Sequence, residues 1–219
     1  AIRITDLLLE VDARTEFSNA FTHLRSGRTA DNKLALLTAI LADGINLGLT
    51  RMADVSPGIT MRQLAWAHDW HIREEGYTAA HAILVNAQRQ LPLASLWGDG
   101  TTSSSDGQYF PAGGHAKAIG DLNARYGPNP GAKFYRFTSD QYGAFYIIAM
   151  NANASEAIYV LDGLLYHGSD LAIETHYVDT GGVSDMSFAL CHLVGFQLVP
   201  RLRGLKDRKL YLFPGDTPP

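Results

Sequence analysis

The chain has 219 residues and a mass of 23.9 kDa, enough for one sizeable domain or one domain with a small appendage. With 46% hydrophobic and 18% charged residues it can bury a core, and at a mean hydropathy of -0.06 it has no apolar run near the ~18 residues of a membrane span. Eighteen Lys and Arg against 22 Asp and Glu leave a net charge of -4, which argues against tight free-standing binding to duplex DNA, where phosphate neutralisation supplies most of the affinity. The single cysteine, Cys191, excludes an internal disulfide framework and a Cys-rich zinc module, and fits a reducing compartment. No secretory signal opens the chain. It begins at Ala1 and ends in Asp216-Thr217-Pro218-Pro219, and both ends read as cuts through a longer protein.

Residues 33–93 read as helical. Leu34, Leu37, Leu41 and Ile45 recur at spacings of three and four, one face of a helix. Ser56-Pro57-Gly58 interrupts, and Thr60 with Gln63 fits a capping box opening a helix through Glu75, with Gly76 as its stop. A further helix carries Ala80, Ile83, Leu84, Ala87 and Leu91 up to Pro92.

The second half reads as strands and helices. Residues 103–110 form a candidate strand with Asp106, Gln108 and Phe110 on one face, followed by a Gly-, Pro- and Asn-rich connection over 111–130. Residues 132–138 and 142–151 are a strand pair about a turn at Ser139-Asp140-Gln141. Ser155 is an N-cap for a helix carrying Val160, Leu161, Leu164 and Leu165. A strand at 172–179, a helix at 184–194 closed by Gly195, a strand at 196–203 and a short apolar patch at Tyr211 complete the chain. This order predicts a mixed sheet flanked by helices, not an all-parallel doubly wound fold. By analogy, it is the opening of a ribonuclease H-like domain.

Two aspartates stand out. Asp106 lies in the first strand and Asp179 at the end of the fourth, with Gly107 and Gly181 leaving room for a ligand beside the backbone. If those strands are neighbours, the carboxylates converge, and two carboxylates held together call for a cation. Mg²⁺ takes such oxygen ligands, and paired metal ions activate an attacking hydroxyl and stabilise a leaving oxygen in phosphoryl transfer. Asp-Gly pairs are also common turn signals, so on sequence logic alone Asp179-Thr180-Gly181 reads more readily as a cap or loop closure, and it is the strand order that favours the metal site. Asp99 in Trp97-Gly98-Asp99-Gly100 rivals Asp106, and Asp99 or Asp140 could serve as a third ligand in a metal-dependent phosphoesterase.

Other candidates carry less. His68 and His71, three apart on a helix, have no third ligand nearby and read as a helix face. Cys191 lies in an apolar helix as a small core residue. Ser103, Ser104 and Ser105 have no visible triad partners, and no phosphate-binding GxxxxGK[ST] loop exists. Arg201 and Arg203 alternate along the last strand, ahead of Lys206, Arg208 and Lys209. This cluster reads either as a contact for a DNA backbone or as a solvated edge protected by charge.

Several stretches together are similar to the transposases of the Tn3 family: LADGINLGL over 41–49, WHIR over 70–73, WGDGTTSSSDGQ over 97–108, YVLDGLL over 159–165, HYVDT over 176–180 and PRLR over 200–203. The resemblance runs in order over nearly the whole chain. It implies a helical segment over 1–95 ahead of a ribonuclease H-like catalytic core over 96–219, incomplete at its C-terminus. It implies Mg²⁺, with Mn²⁺ as a substitute, and an Asp-Asp-Glu triad whose first two acids fall on Asp106 and Asp179. The implied activity is cleavage at transposon ends and strand transfer by a 3′-hydroxyl, in a replicative pathway. The implied partners are transposon-end and target DNA and other transposase copies, with no membrane, in the bacterial cytoplasm at the nucleoid. The family's Glu lies on a helix well past the second Asp, and Glu174 precedes Asp179 and cannot stand in for it. The chain is therefore expected to be inactive alone and to bind Mg²⁺ weakly. A truncated regulatory or interaction module without catalysis is the alternative.

Overall fold

The computed structural model describes residues 3–111, 122–207 and 214–215. The segment 112–121, Arg208, Lys209 and Tyr211 lie outside the described residues. The chain forms two compact units. The first comprises Ala1–Gly100, Thr138–Tyr146 and Tyr166–Ala172, and the second Thr101–Phe137, Ile147–Leu165 and Ile173–Pro219.

The first unit holds helices α1 (Ile4–Thr15), α2 (Lys33–Gly44), α3 (Leu49–Val55), α4 (Met61–His71) and α5 (Glu74–Arg89). Their shared core includes Phe17, Phe21, Leu36, Met52 and Leu64. Asn32 caps α2 by accepting from the Ala35 N–H at 3.0 Å. The predicted face of α2 needs correction: Leu37 is buried, but Leu34 is 42% and Ile45 55% exposed. The buried row runs instead through Ala35, Leu36, Ala39 and Ala42. This helix is apolar nearly all round, so periodicity gives no contrast, and small alanines let α3 and α4 pack close.

The capping box forms as expected. The Gln63 N–H donates to Thr60 Oγ1 at 3.3 Å, and the Thr60 N–H to Gln63 Oε1 at 2.8 Å. The helix ends earlier than Glu75, because Ile72 and Arg73 are extended. Gly76 is no stop but an interior residue of α5, where a Cβ would come within 2.8 Å of the Phe21 ring. Glycine here serves packing.

A five-stranded sheet comprises β1 (Thr102–Pro111), β2 (Gly131–Ser139), β3 (Ala144–Met150), β4 (Thr175–Val178) and β5 (Gln197–Pro200), in the order β3-β2-β1-β4-β5. β1 and β4 are parallel, as are β4 and β5. The short turn between β2 and β3 can join only antiparallel strands, so the sheet is mixed. Helices α6 (Val160–Leu165) and α7 (Asp185–Leu193) flank it. α6 comes so close to β2 that a Cβ on Gly163 would overlap the Phe137 ring. Ser184 caps α7 with a second capping box, and Gly195 follows it at φ 93°. The fold is α/β, a five-stranded mixed sheet flanked by helices and preceded by a helical segment.

β5 stops at Pro200, which has no N–H to extend a ladder. Arg201 and Arg203 therefore do not alternate along a strand. Both are exposed beyond it, though the Arg201 N–H still donates to the Val178 carbonyl at 2.8 Å.

Candidate metal centre

The parallel register of β1 and β4 sets the site. Ser103 is opposite His176, and Ser105 opposite Val178. One step further along each strand come Asp106 and Asp179. A buried polar ladder holds this register. His176 is fully buried, with Nδ1 2.7 Å from Ser103 Oγ and Nε2 2.8 Å from Ser105 Oγ. The Ser105 hydroxyl is in turn 2.6 Å from the Tyr135 hydroxyl of β2. Burial pushes the His176 pKa down to about 4, so the imidazole is neutral, and pushes the Tyr135 hydroxyl up. Ser103 and Ser105 are thus structural, with no nucleophile among them.

Above this ladder, oxygens of Asp106, Glu156 and Asp179 lie within 4.8 Å of one another. Each aspartate is anchored to backbone: Asp106 Oδ1 accepts from the Gly107 N–H at 2.7 Å, and Asp179 Oδ1 from Gly181 and Gly182 at 2.9 and 3.0 Å. Both aspartates are exposed. They line a pocket of about 280 Å³ together with Arg125, Lys133, Asn153 and Glu156.

Glu156 and Lys133 are the residues that sequence reasoning missed. They form an ion pair with both side chains more than nine-tenths buried. Glu156 opens the 3₁₀ turn Glu156–Ile158 behind the Ser155 cap, whose hydroxyl accepts from the Ala157 N–H at 3.4 Å. Lys133 follows the inward period of β2 with Tyr135 and Phe137. A lysine at an inward position requires a buried anion, and that was the available signal. The space beside Gly107 admits this pair rather than a ligand, because a Cβ there would overlap Glu156 Oε1.

The donor set fits a hard divalent cation, which takes oxygen ligands. Three carboxylates against the Lys133 ammonium and the Arg125 guanidinium leave the pocket net negative, as a cation site requires.

The other candidates fall elsewhere. Asp140 Oδ1 accepts from the Gly100 N–H at 3.0 Å. Neither Asp140 nor Asp99 belongs to the acidic group among the described residues. His71 is buried against the Phe21 carbonyl at 3.0 Å, while His68 lies 3.5 Å from Asp43, so the two share no ligand position. Cys191 is fully buried, and burial pushes its thiol pKa up. Among the described residues, no helix is long and apolar enough to cross a membrane.

Residues 6–219 match the family described as Tn3 transposase DDE domain. The chain is 54% identical over 211 residues to the transposase for transposon Tn501 of Pseudomonas aeruginosa, covering 96% of this chain and 21% of that protein. It is 54% identical over 216 residues to the transposase for transposon Tn21 of Escherichia coli, covering 99% of this chain and 22% of that protein. The transposase for transposon gamma-delta of Escherichia coli (strain K12) is 35% identical over 92% of this chain and 20% of its own length. The chain spans about a fifth of the length of these curated relatives.

Proposed function

The chain belongs to the Tn3 transposase family, and on that footing we propose that it forms part of a catalytic region for DNA strand cleavage at transposon ends and strand transfer by a 3′-hydroxyl. The observation that carries this reading is the convergence of Asp106 and Asp179 from two adjacent parallel strands, with oxygens within 4.8 Å in a pocket open to solvent. Asp106 and Asp179 are the proposed ligands of Mg²⁺ or Mn²⁺. A divalent ion held there would supply activation of the attacking hydroxyl and stabilisation of charge on the leaving oxygen. Lys133 keeps Glu156 paired, so that the net charge facing the substrate belongs to the two aspartates. Arg125, on the wall of the pocket, is placed to meet a phosphate oxygen. Arg201 and Arg203, both exposed, are proposed to contact the DNA backbone.

The replicative pathway, the division into a helical segment over 1–95 and a core over 96–219, and assembly with other transposase copies belong to the same proposal. So do inactivity of the 219-residue chain by itself and a location at the bacterial nucleoid. With a net charge of -4, this chain depends on other surfaces to hold duplex.

In a full-length transposase carrying this region, Asp179→Asn is expected to abolish strand cleavage while leaving transposon-end binding intact in a gel-shift assay. Asp106→Asn is expected to do the same. Normal cleavage by either variant overturns the assignment.

A further inference from the structure

A second cavity lies wholly within the helical unit, away from the carboxylates. It has a volume of about 760 Å³ and lies between the loop after Phe21 and one face of α4, within the roughly 300–1,000 Å³ of small-ligand sites. Arg62, Trp66 and Trp70 recur at i, i+4 and i+8 along α4, so they form one row. His23 from the loop stacks parallel on Trp70, with ring centroids 5.2 Å apart at 4°. The Arg25 guanidinium lies 5.1 Å from the Trp70 ring. Trp70 is therefore engaged. Trp66 is tilted 39° to it and is 55% exposed. The Trp66 ring also meets the His23 ring at 5.9 Å, and its exposed part, in a cavity shared with Arg62 and Arg28, has a chemistry of its own: a flat π surface for a base and guanidinium groups for a phosphate. Gln63, Asn32 and Thr29 add polar groups on the rim.

We propose that this pocket takes one unpaired nucleotide of single-stranded DNA, its base stacked on Trp66 and its phosphate met by Arg28 and Arg62. Two features exclude a duplex groove. Asp31 and Asp69 also line the cavity, with Asp31 4.0 Å from Arg28, so there is no continuous basic track. A ring can stack only on a base already out of its own stack. The proposal uses neither Asp106 nor Asp179, so loss of the catalytic assignment leaves it standing.

The test is fluorescence anisotropy of 5′-labelled (dT)8 with the full 219-residue chain, at fixed low salt. Trp66→Ala is expected to weaken binding by about tenfold or more, the effect of losing one base–aromatic stack. Trp66→Phe is expected to restore most of it. Trp97→Ala, which removes another exposed tryptophan, is expected to change nothing. Arg62→Ala is expected to lower the slope of log K against log salt by about 0.7, one phosphate contact on a single strand. An octamer duplex is expected to bind more weakly than (dT)8. Equal binding by Trp66→Ala, tighter binding of the duplex, or no binding of (dT)8 at millimolar protein overturns the proposal. The last result would leave the pocket as a surface for a protein partner. Because Trp66 is largely exposed, its variants are expected to keep the wild-type circular dichroism, which confirms the fold in each case.

Discussion

The balance of charge in the carboxylate pocket rests on Lys133. Removing one member of a buried ion pair strands the other, at a cost of about 3–5 kcal/mol. Lys133→Met is therefore expected to lower the melting temperature in EDTA. Because three unpaired carboxylates then face one another, added Mg²⁺ should recover part of the loss in the variant and much less in the wild type, as read by thermal unfolding with and without the ion. An identical drop with and without Mg²⁺ would show that Lys133 does not govern the pocket charge. Asp106 and Asp179 were legible in the sequence because one lies within the first strand and the other directly after the fourth, each with a glycine one or two positions on. Glu156 was not legible, because its partner lies 23 positions earlier on another element and only the folded register brings them together. Lys133 was half-legible, as a charge on the inward period of an otherwise apolar strand.

Among the elements, the three central strands share one polar ladder through His176. Its folded pKa of about 4 lies below the ordinary 6.5, so between those values the unfolded chain takes up a proton that the folded chain refuses. This contribution is fully favourable above pH 6.5 and is lost as pH falls toward 4, on the order of 3 kcal/mol in all. Urea unfolding at pH 4.5 and 7.5 should show a wider stability gap for the wild type than for His176→Gln. A gap of equal size would remove His176 as the source. Helix starts were legible wherever a side chain caps them, as at Thr60 and Ser184. Ends were less so. Gly76 resembles a stop but fills a close approach to Phe21, and Arg201 and Arg203 continue an alternating pattern after Pro200 has ended the ladder. The buried face of α2 is not legible in the sequence, because a helix apolar on nearly every side has no preferred stripe until its neighbours choose one.

For the whole molecule, the net charge of -4 predicts weak attraction to phosphate. In a gel shift at about 0.1 M salt, a 30-base-pair duplex is expected to remain free at protein concentrations up to about 10 μM, within the range of non-specific binding. A discrete complex at nanomolar protein would contradict this. A mixed sheet with flanking helices was legible from the succession of strands and helices, whereas the order of its strands and the grouping into units were not, because both depend on which segments fold back on which. The helical unit includes Thr138–Tyr146 and Tyr166–Ala172 as well as its N-terminal helices. Gln88 donates to the Gln141 carbonyl at 3.0 Å, and Asn86 accepts from the Asp170 N–H at 2.8 Å. During synthesis, then, helices α1 to α5 emerge from the ribosome before the strands yet cannot finish their own unit until residue 172 has followed, several seconds later at ordinary elongation rates. Completion of the helical unit therefore falls within the stretch of synthesis that also supplies the sheet, instead of preceding it.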